Sequence, residues 1–145
     1  MTGSILAVNI STEKGTRKKS VDAAVLRAGH GIEGDAHAGD WHRQVSLLAD
    51  ESIETMRGRG LELGPGDFAE NLTVRGLNLW SLPVGTTLRI GIDVVLEVTQ
   101  IGKECHQGCE IRRQVGDCVM PRQGIFARVI HGGPVQPGDI VEVEG

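Results

Sequence analysis

Twenty-one glycines in 145 residues, spread singly rather than in a tract, are the feature that most limits what this chain can become. Glycine adopts backbone conformations that other residues resist, so single glycines at short intervals mark turns between short elements. The segments between them are apolar and brief. Ile5 to Ile10, Gln44 to Ala49 and Leu72 to Arg75 read as strands. Thr87 to Ile90 and Val94 to Thr99, separated by Gly91-Ile92-Asp93, read as a hairpin, and Gly124 to Ile130 and Ile140 to Glu144 complete the series. Turns are expected at Gly64-Pro65-Gly66-Asp67, Gly132-Gly133 and Pro137-Gly138-Asp139, and loops over Ser11 to Ser20 and Gly29 to Trp41. Val21 to Ala28 fits helical and extended spacing alike and stays unassigned. One helix is expected from Asp50 to about Arg57: Asp50 suits an N-cap, Glu51 and Glu54 lie toward the start, and Gly58 and Gly60 stop it. Many short strands with few helices predict a mainly β fold, a closed or nearly closed barrel forming one domain over residues 1–145.

Composition narrows the functional classes. Hydrophobic residues at 39% and charged residues at 23% describe a globular chain rather than a disordered one. No apolar run approaches membrane-helix length, and Met1 to Ile10 lacks the charged and apolar regions of a secretory signal, so the expected location is cytoplasmic, with no membrane partner. A net charge of −4 argues against a broad nucleic-acid contact. Basic residues are nevertheless clustered, Lys14, Arg17, Lys18 and Lys19 in one group and Arg112, Arg113, Arg122 and Arg128 in another. Either cluster suits a small anionic ligand or a solvated loop.

Chemistry concentrates in Gly102-Lys103-Glu104-Cys105-His106-Gln107-Gly108-Cys109, directly after a predicted strand, with Cys118 nine residues on. An odd number of cysteines in a reducing compartment favours thiols, metal ligands or a catalytic group over a disulfide framework. Three readings compete: a buried inert cysteine, a structural zinc site from Cys105, His106, Cys109 and Cys118, and a reactive or metal-binding thiolate. A polar glycine-containing loop is a poor place for the first, and the spacing lacks the paired C-x2-C of closed zinc sites. For the third, Lys103 and His106 are placed to favour the Cys105 thiolate, whereas Cys109 is followed by Glu110 and Cys118 preceded by Asp117. Two further constellations are Gly34 to Gln44, with Asp35, His37, His42 and Arg43, and Phe68-Ala69-Glu70-Asn71-Leu72.

In order along the chain, Gly34-Asp35, Arg43 to Leu48, Phe68 to Leu72, Val84-Gly85, Cys105 after its strand, Gly124 to Val129 and Gly138-Asp139 resemble the MOSC domain, the family named for the C-terminal domain of molybdenum cofactor sulfurase. The resemblance implies a β-barrel that binds the molybdenum cofactor. It implies that Cys105 is the family's cysteine, a persulfide carrier in cofactor maturation or a metal ligand in reduction of N-hydroxylated compounds. Glu104 stands where the family more often has proline. His106 and Lys103 would stabilise the thiolate, and Lys19, Asp35, Arg43, Asn71, Arg122 and Arg128 would serve the cofactor's phosphate and pterin. Lys19, Arg43, Asn71 and Arg128 should then converge on one pocket. Expected partners are an external sulfur or electron donor protein and the cofactor's biosynthetic enzymes. The other class of function is a non-catalytic module that stores or delivers the cofactor.

Overall fold

The computed structural model describes residues 1–13, 17–57, 64–102 and 124–144. Period-two burial builds most of its strands. In Val94–Ile101, Val94, Leu96 and Val98 are buried while the residues between them are half-exposed. Along Ile125–His131, Ile125, Ala127 and Val129 join the same apolar core. Side chains that alternate this way need a second apolar surface. A sheet closed on itself provides it.

The elements run β1 Thr2–Ile10, β2 Lys19–Val21, β3 Ala24–Arg27, β4 Gly31–Ile32, β5 Val45–Ala49, α1 Asp50–Arg57, β6 Leu72–Arg75, a 3-10 turn at Leu79–Ser81, β7 Thr87–Ile90, β8 Val94–Ile101, β9 Ile125–His131, β10 Gly133–Val135 and β11 Ile140–Glu144. Among the described residues, β1, β11, β7, β8, β9, β5 and β6 close a seven-stranded barrel, with β2 added along β1. Closure depends on β1, which changes partners along its length. Its start pairs with β11 (Thr2↔Glu142) and its end with β2 (Ile10↔Lys19), while its other edge holds β6 across a bulge between Ile5 and Ala7. A bulge bends a strand and increases its twist, as a closing strand requires. The pair β5–β6 is parallel, and α1 supplies part of its crossover. A second sheet, in the order β10-β3-β4, contributes Leu26, Ile32 and Val135 to the barrel core.

The expected barrel, the helix over Asp50–Arg57 and the hairpin at Gly91 to Asp93 are all present. Gly91 has φ 61, the left-handed conformation that this short connection requires. Four segments differ from the sequence reading: the loop expected over Gly29 to Trp41 contains β4, and three others change as follows. The loop read as Ser11 to Ser20 ends in β2, because Lys19 and Ser20 complete the ladder of β1. Val21 to Ala28 resolves into β3, and the turn expected at Gly132-Gly133 opens into β10, which pairs with it. These strands are only two to four residues long, so periodicity carried little of their signal.

Candidate functional site

Outside the barrel core, one row of residues crosses the wall. Gln100 is paired with Phe126, and Phe126 with Ser46. Ser46 meets Asn71, whose backbone N–H donates to the Ser46 carbonyl at 3.0 Å. The Asn71 carbonyl accepts from Asn9 at 2.7 Å, and Asn9 is paired with Ser20 on β2. Their neighbours Leu47, Leu72, Val8 and Ile125 belong to the core, so alternation turns this row outward. Ser46, Asn71, Asn9 and Phe126 are nevertheless buried.

Buried polar groups need partners, and here they find them in one another. The Asn71 Oδ1 accepts from the Ser46 N–H at 2.9 Å and the Ser46 hydroxyl at 3.1 Å, while its Nδ2 donates to the Asn9 carbonyl at 3.2 Å. Glu70 accepts from the Gly66 N–H at 3.0 Å, the Phe68 N–H at 3.2 Å and the Thr73 hydroxyl at 2.6 Å. Its burial raises the carboxyl pKa, against the opposing pull of these hydrogen bonds. Just before them Ala69 has φ 63, a costly conformation for a residue with a Cβ, held by the Glu70 carboxylate on the Phe68 N–H and by the Ser46 hydroxyl, which donates to the Ala69 carbonyl at 3.3 Å. The Phe68 to Leu72 motif is thus a rigid, internally satisfied corner. Asn71 spends its amide on the frame.

At one end of the row stands a cationic and aromatic cluster. The Arg43 guanidinium carbon lies 5.2 Å from the centre of the Phe126 ring, within cation–π reach, and Arg43 Nε donates to Gln100 Oε1 at 3.1 Å. His42 Nε2 lies 2.9 Å from the same oxygen, and Gln100 Nε2 donates to the Gly102 carbonyl at 2.7 Å. The Gly102 N–H donates to the Gly124 carbonyl at 2.6 Å. Through Gln100 the cluster is tied to Gly102, which is bonded to Gly124, the described residues on either side of positions 103–123. Cys105, His106, Lys103 and Arg122, with Cys109 and Cys118, lie outside the described residues.

Two clefts flank this wall. One, of about 760 Å³, is lined by Trp41, His42, Gln44, Glu97, Thr99 and Arg128 among others. There Arg128 pairs with Glu97 at 2.8 Å, and buried Gln44 accepts from the Val129 N–H at 2.9 Å, which fastens the 40–43 segment to β9. The other, of about 600 Å³, lies at the far end of the row and is lined by Ser11, Arg17, Lys19 and Gly34 among others. Behind it, Asp35 is buried against Lys18 at 2.8 Å. Burial alone would raise the Asp35 pKa, but hydrogen bonds from His37 and Lys18 and the Lys18 charge outweigh it and hold the carboxyl well below its usual range.

Of these two clefts, the first is lined by Arg128 and the second by Lys19, and Arg43 and Asn71 line neither. Arg43 and Asn71 share the outer face of one wall through Phe126 and Ser46, while Lys19 and Arg128 open onto different clefts. Gln100 and Lys18 carry contacts that the sequence reading did not single out. Lys18 and Lys19 look alike in sequence, and only the pairing of β1 with β2 decides which one turns inward.

The family model for the MOSC domain matches residues 33–142, most of the chain. The chain belongs to the MOSC domain family. Solved structures support the fold of this MOSC domain at low identity. The YuaD protein of Bacillus subtilis aligns with TM-score 0.83 and 23% identity, covering 99% of this chain and 96% of that one. YiiM from Geobacillus stearothermophilus aligns with TM-score 0.72 and 17% identity, covering 99% of this chain and 75% of its own. YiiM from Escherichia coli gives 0.71 and 20%, covering 100% and 70% respectively. No curated protein matches by sequence. MOSC domains are associated with molybdenum cofactor systems. Among the described residues no helix is long and apolar enough to cross a membrane.

Proposed function

We propose that this MOSC domain binds the molybdenum cofactor and presents the Cys105 thiolate to it. The observation that carries the reading is the Arg43–Gln100–His42 cluster, which fixes the base of the cysteine-bearing segment on a wall flanked by two clefts. The donor set fits the group. Lys19 with Arg17, on one cleft, suits a phosphate, while Arg128, on the other cleft, and Arg43, beside Phe126 and Gln100, suit polar edges of a pterin. Arg122, on the cysteine-bearing segment, joins these as a further anion donor. Asp35 and Asn71 act from inside the wall, as residues that orient rather than touch. Soft thiolate suits a soft metal centre, and the bound group would supply the redox or sulfur-accepting chemistry.

The chain's own contribution is a thiolate held ready. Lys103 and His106 favour the ionised form of Cys105. In the carrier role, the thiolate attacks the outer sulfur of a donor protein's persulfide, the donor leaves as its own thiolate, and Cys105 holds the new persulfide. In the ligand role the same sulfur binds the metal. Both roles require an outside sulfur or electron donor, a cytoplasmic setting and contact with the enzymes that make the cofactor.

Thiol mapping tests the assignment. Near neutral pH, an alkylating reagent is expected to label Cys105 ahead of Cys109 and Cys118, and added cofactor to slow that labelling. Faster labelling of Cys109 or Cys118 moves the role to another residue. One equivalent of bound zinc with all three thiols protected would replace the proposal with a structural metal site.

A further inference from the structure

Arg17, Lys18 and Lys19 are consecutive cations with opposite fates. Arg17 and Lys19 are exposed and line the smaller cleft, whereas the Lys18 side chain is fully buried. Extended backbone sends neighbouring side chains to opposite sides, so fixing Lys18 inward fixes the other two outward. Several bonds fix it. Lys18 Nζ donates to Asp35 Oδ1 at 2.8 Å and to the Ser11 hydroxyl at 3.0 Å. The same carboxylate accepts the Ser11 N–H at 3.0 Å and the His37 N–H at 3.0 Å. The Lys18 backbone N–H donates to the Gly66 carbonyl at 2.8 Å, and a Cβ at Gly66 would stand 2.2 Å from the Lys18 carbonyl oxygen. Of the residues that line this cleft, Ser11, Arg17, Lys19 and Gly34 are adjacent in sequence or bonded to this pair; Thr12 and the acidic Glu13 line it too, and Arg17 lies 4.0 Å from Asp67.

We infer that the Lys18–Asp35 pair is a positioning latch: it holds Arg17 and Lys19 as one cationic rim for the anionic end of the ligand. The inference rests on the reading that this cleft takes a phosphate group. It makes a prediction opposite in sign to bulk electrostatics. Asp35 is a negative charge just behind an anion cleft, so on Coulomb grounds Asp35→Asn should tighten anion binding. A latch predicts weakening, because the neutral amide loosens Lys18 and with it the rim.

The experiment is a titration of the full chain with inorganic phosphate, followed by phosphorus NMR, with folding checked by amide spectra. Lys19→Met is expected to weaken phosphate by about tenfold, the value of one charge-assisted contact. Asp35→Asn is expected to weaken it by roughly fivefold despite the gain in net positive charge. Since a lone buried charge can unfold a protein, the comparison is repeated on Lys18→Met/Asp35→Asn. This double variant leaves net charge unchanged and no buried ion unpaired, and it should weaken binding similarly. Wild-type binding that Lys19→Met reduces but the Asp35 and double variants leave equal or tighter would overturn the latch alone. Absence of Lys19-dependent binding in the wild type would sink the cleft assignment and the latch together.

Discussion

The Glu70–Asn71 corner and the Arg43–Gln100 cluster both come from motif residues, yet they use polarity in opposite ways. At the corner, the side-chain oxygens of Glu70 and Asn71 accept from backbone amides and hydroxyls, and both residues are 0% exposed. At the cluster, His42 is exposed and Arg43 half-exposed, and their bonds converge on one amide at the root of the cysteine segment. The corner is a frame and the cluster a face. A polar residue fixed by family pattern can serve either purpose, and burial with complete hydrogen bonding distinguishes the two.

The largest effect should come from breaking the corner. Glu70→Ala leaves the Gly66 and Phe68 amides and the Thr73 hydroxyl without their acceptor, and is expected to cost about 3 kcal/mol or more in urea unfolding. Asn71→Ala should cost about 2 kcal/mol by the same reasoning, whether or not ligand is present. Arg43→Ala and Gln100→Ala should change stability by less than about 1 kcal/mol, while slowing alkylation of Cys105. Stability loss at the cluster matching that at the corner would erase the distinction.

Acid titration sharpens the contrast between carboxylates. Asp35 has a folded pKa below its unfolded value, so its stabilisation is complete above about pH 4 and is lost as pH falls toward the folded value. The stability gap between wild type and Asp35→Asn should therefore narrow below pH 4. Glu70 is shifted the other way, so its ionisation opposes folding as pH rises above the unfolded value near 4.3. The smallest effect is expected at the rim: Arg128→Ala breaks an exposed pair with Glu97 and should cost roughly 0.5 kcal/mol or less, measured by thermal unfolding.

The barrel was legible in the sequence because its long strands obey period two and its hairpin carries a glycine turn. β2, β3, β4 and β10 were not, since strands of two to four residues take their identity from partners elsewhere in the chain. The motif residues were legible as a set, but their roles were not. Nothing in Phe68 to Leu72 says that Asn71 faces Ser46 rather than a ligand, and nothing in three consecutive cations says that the middle one is buried. Both depend on register between paired strands, where a shift of one residue reverses every side chain.

Cys105 is the residue proposed as the thiolate that a cofactor-binding face presents. Its most direct test is the molybdenum and pterin content of the protein purified from a cofactor-producing host, compared with Cys105→Ser. The expected result is pterin and molybdenum carried by the wild type, with pterin retained in the variant through the basic residues while the reactive thiol and any metal–sulfur bond are lost. Wild-type protein that carries neither, or a variant indistinguishable from it in metal, pterin and thiol chemistry, would contradict the account.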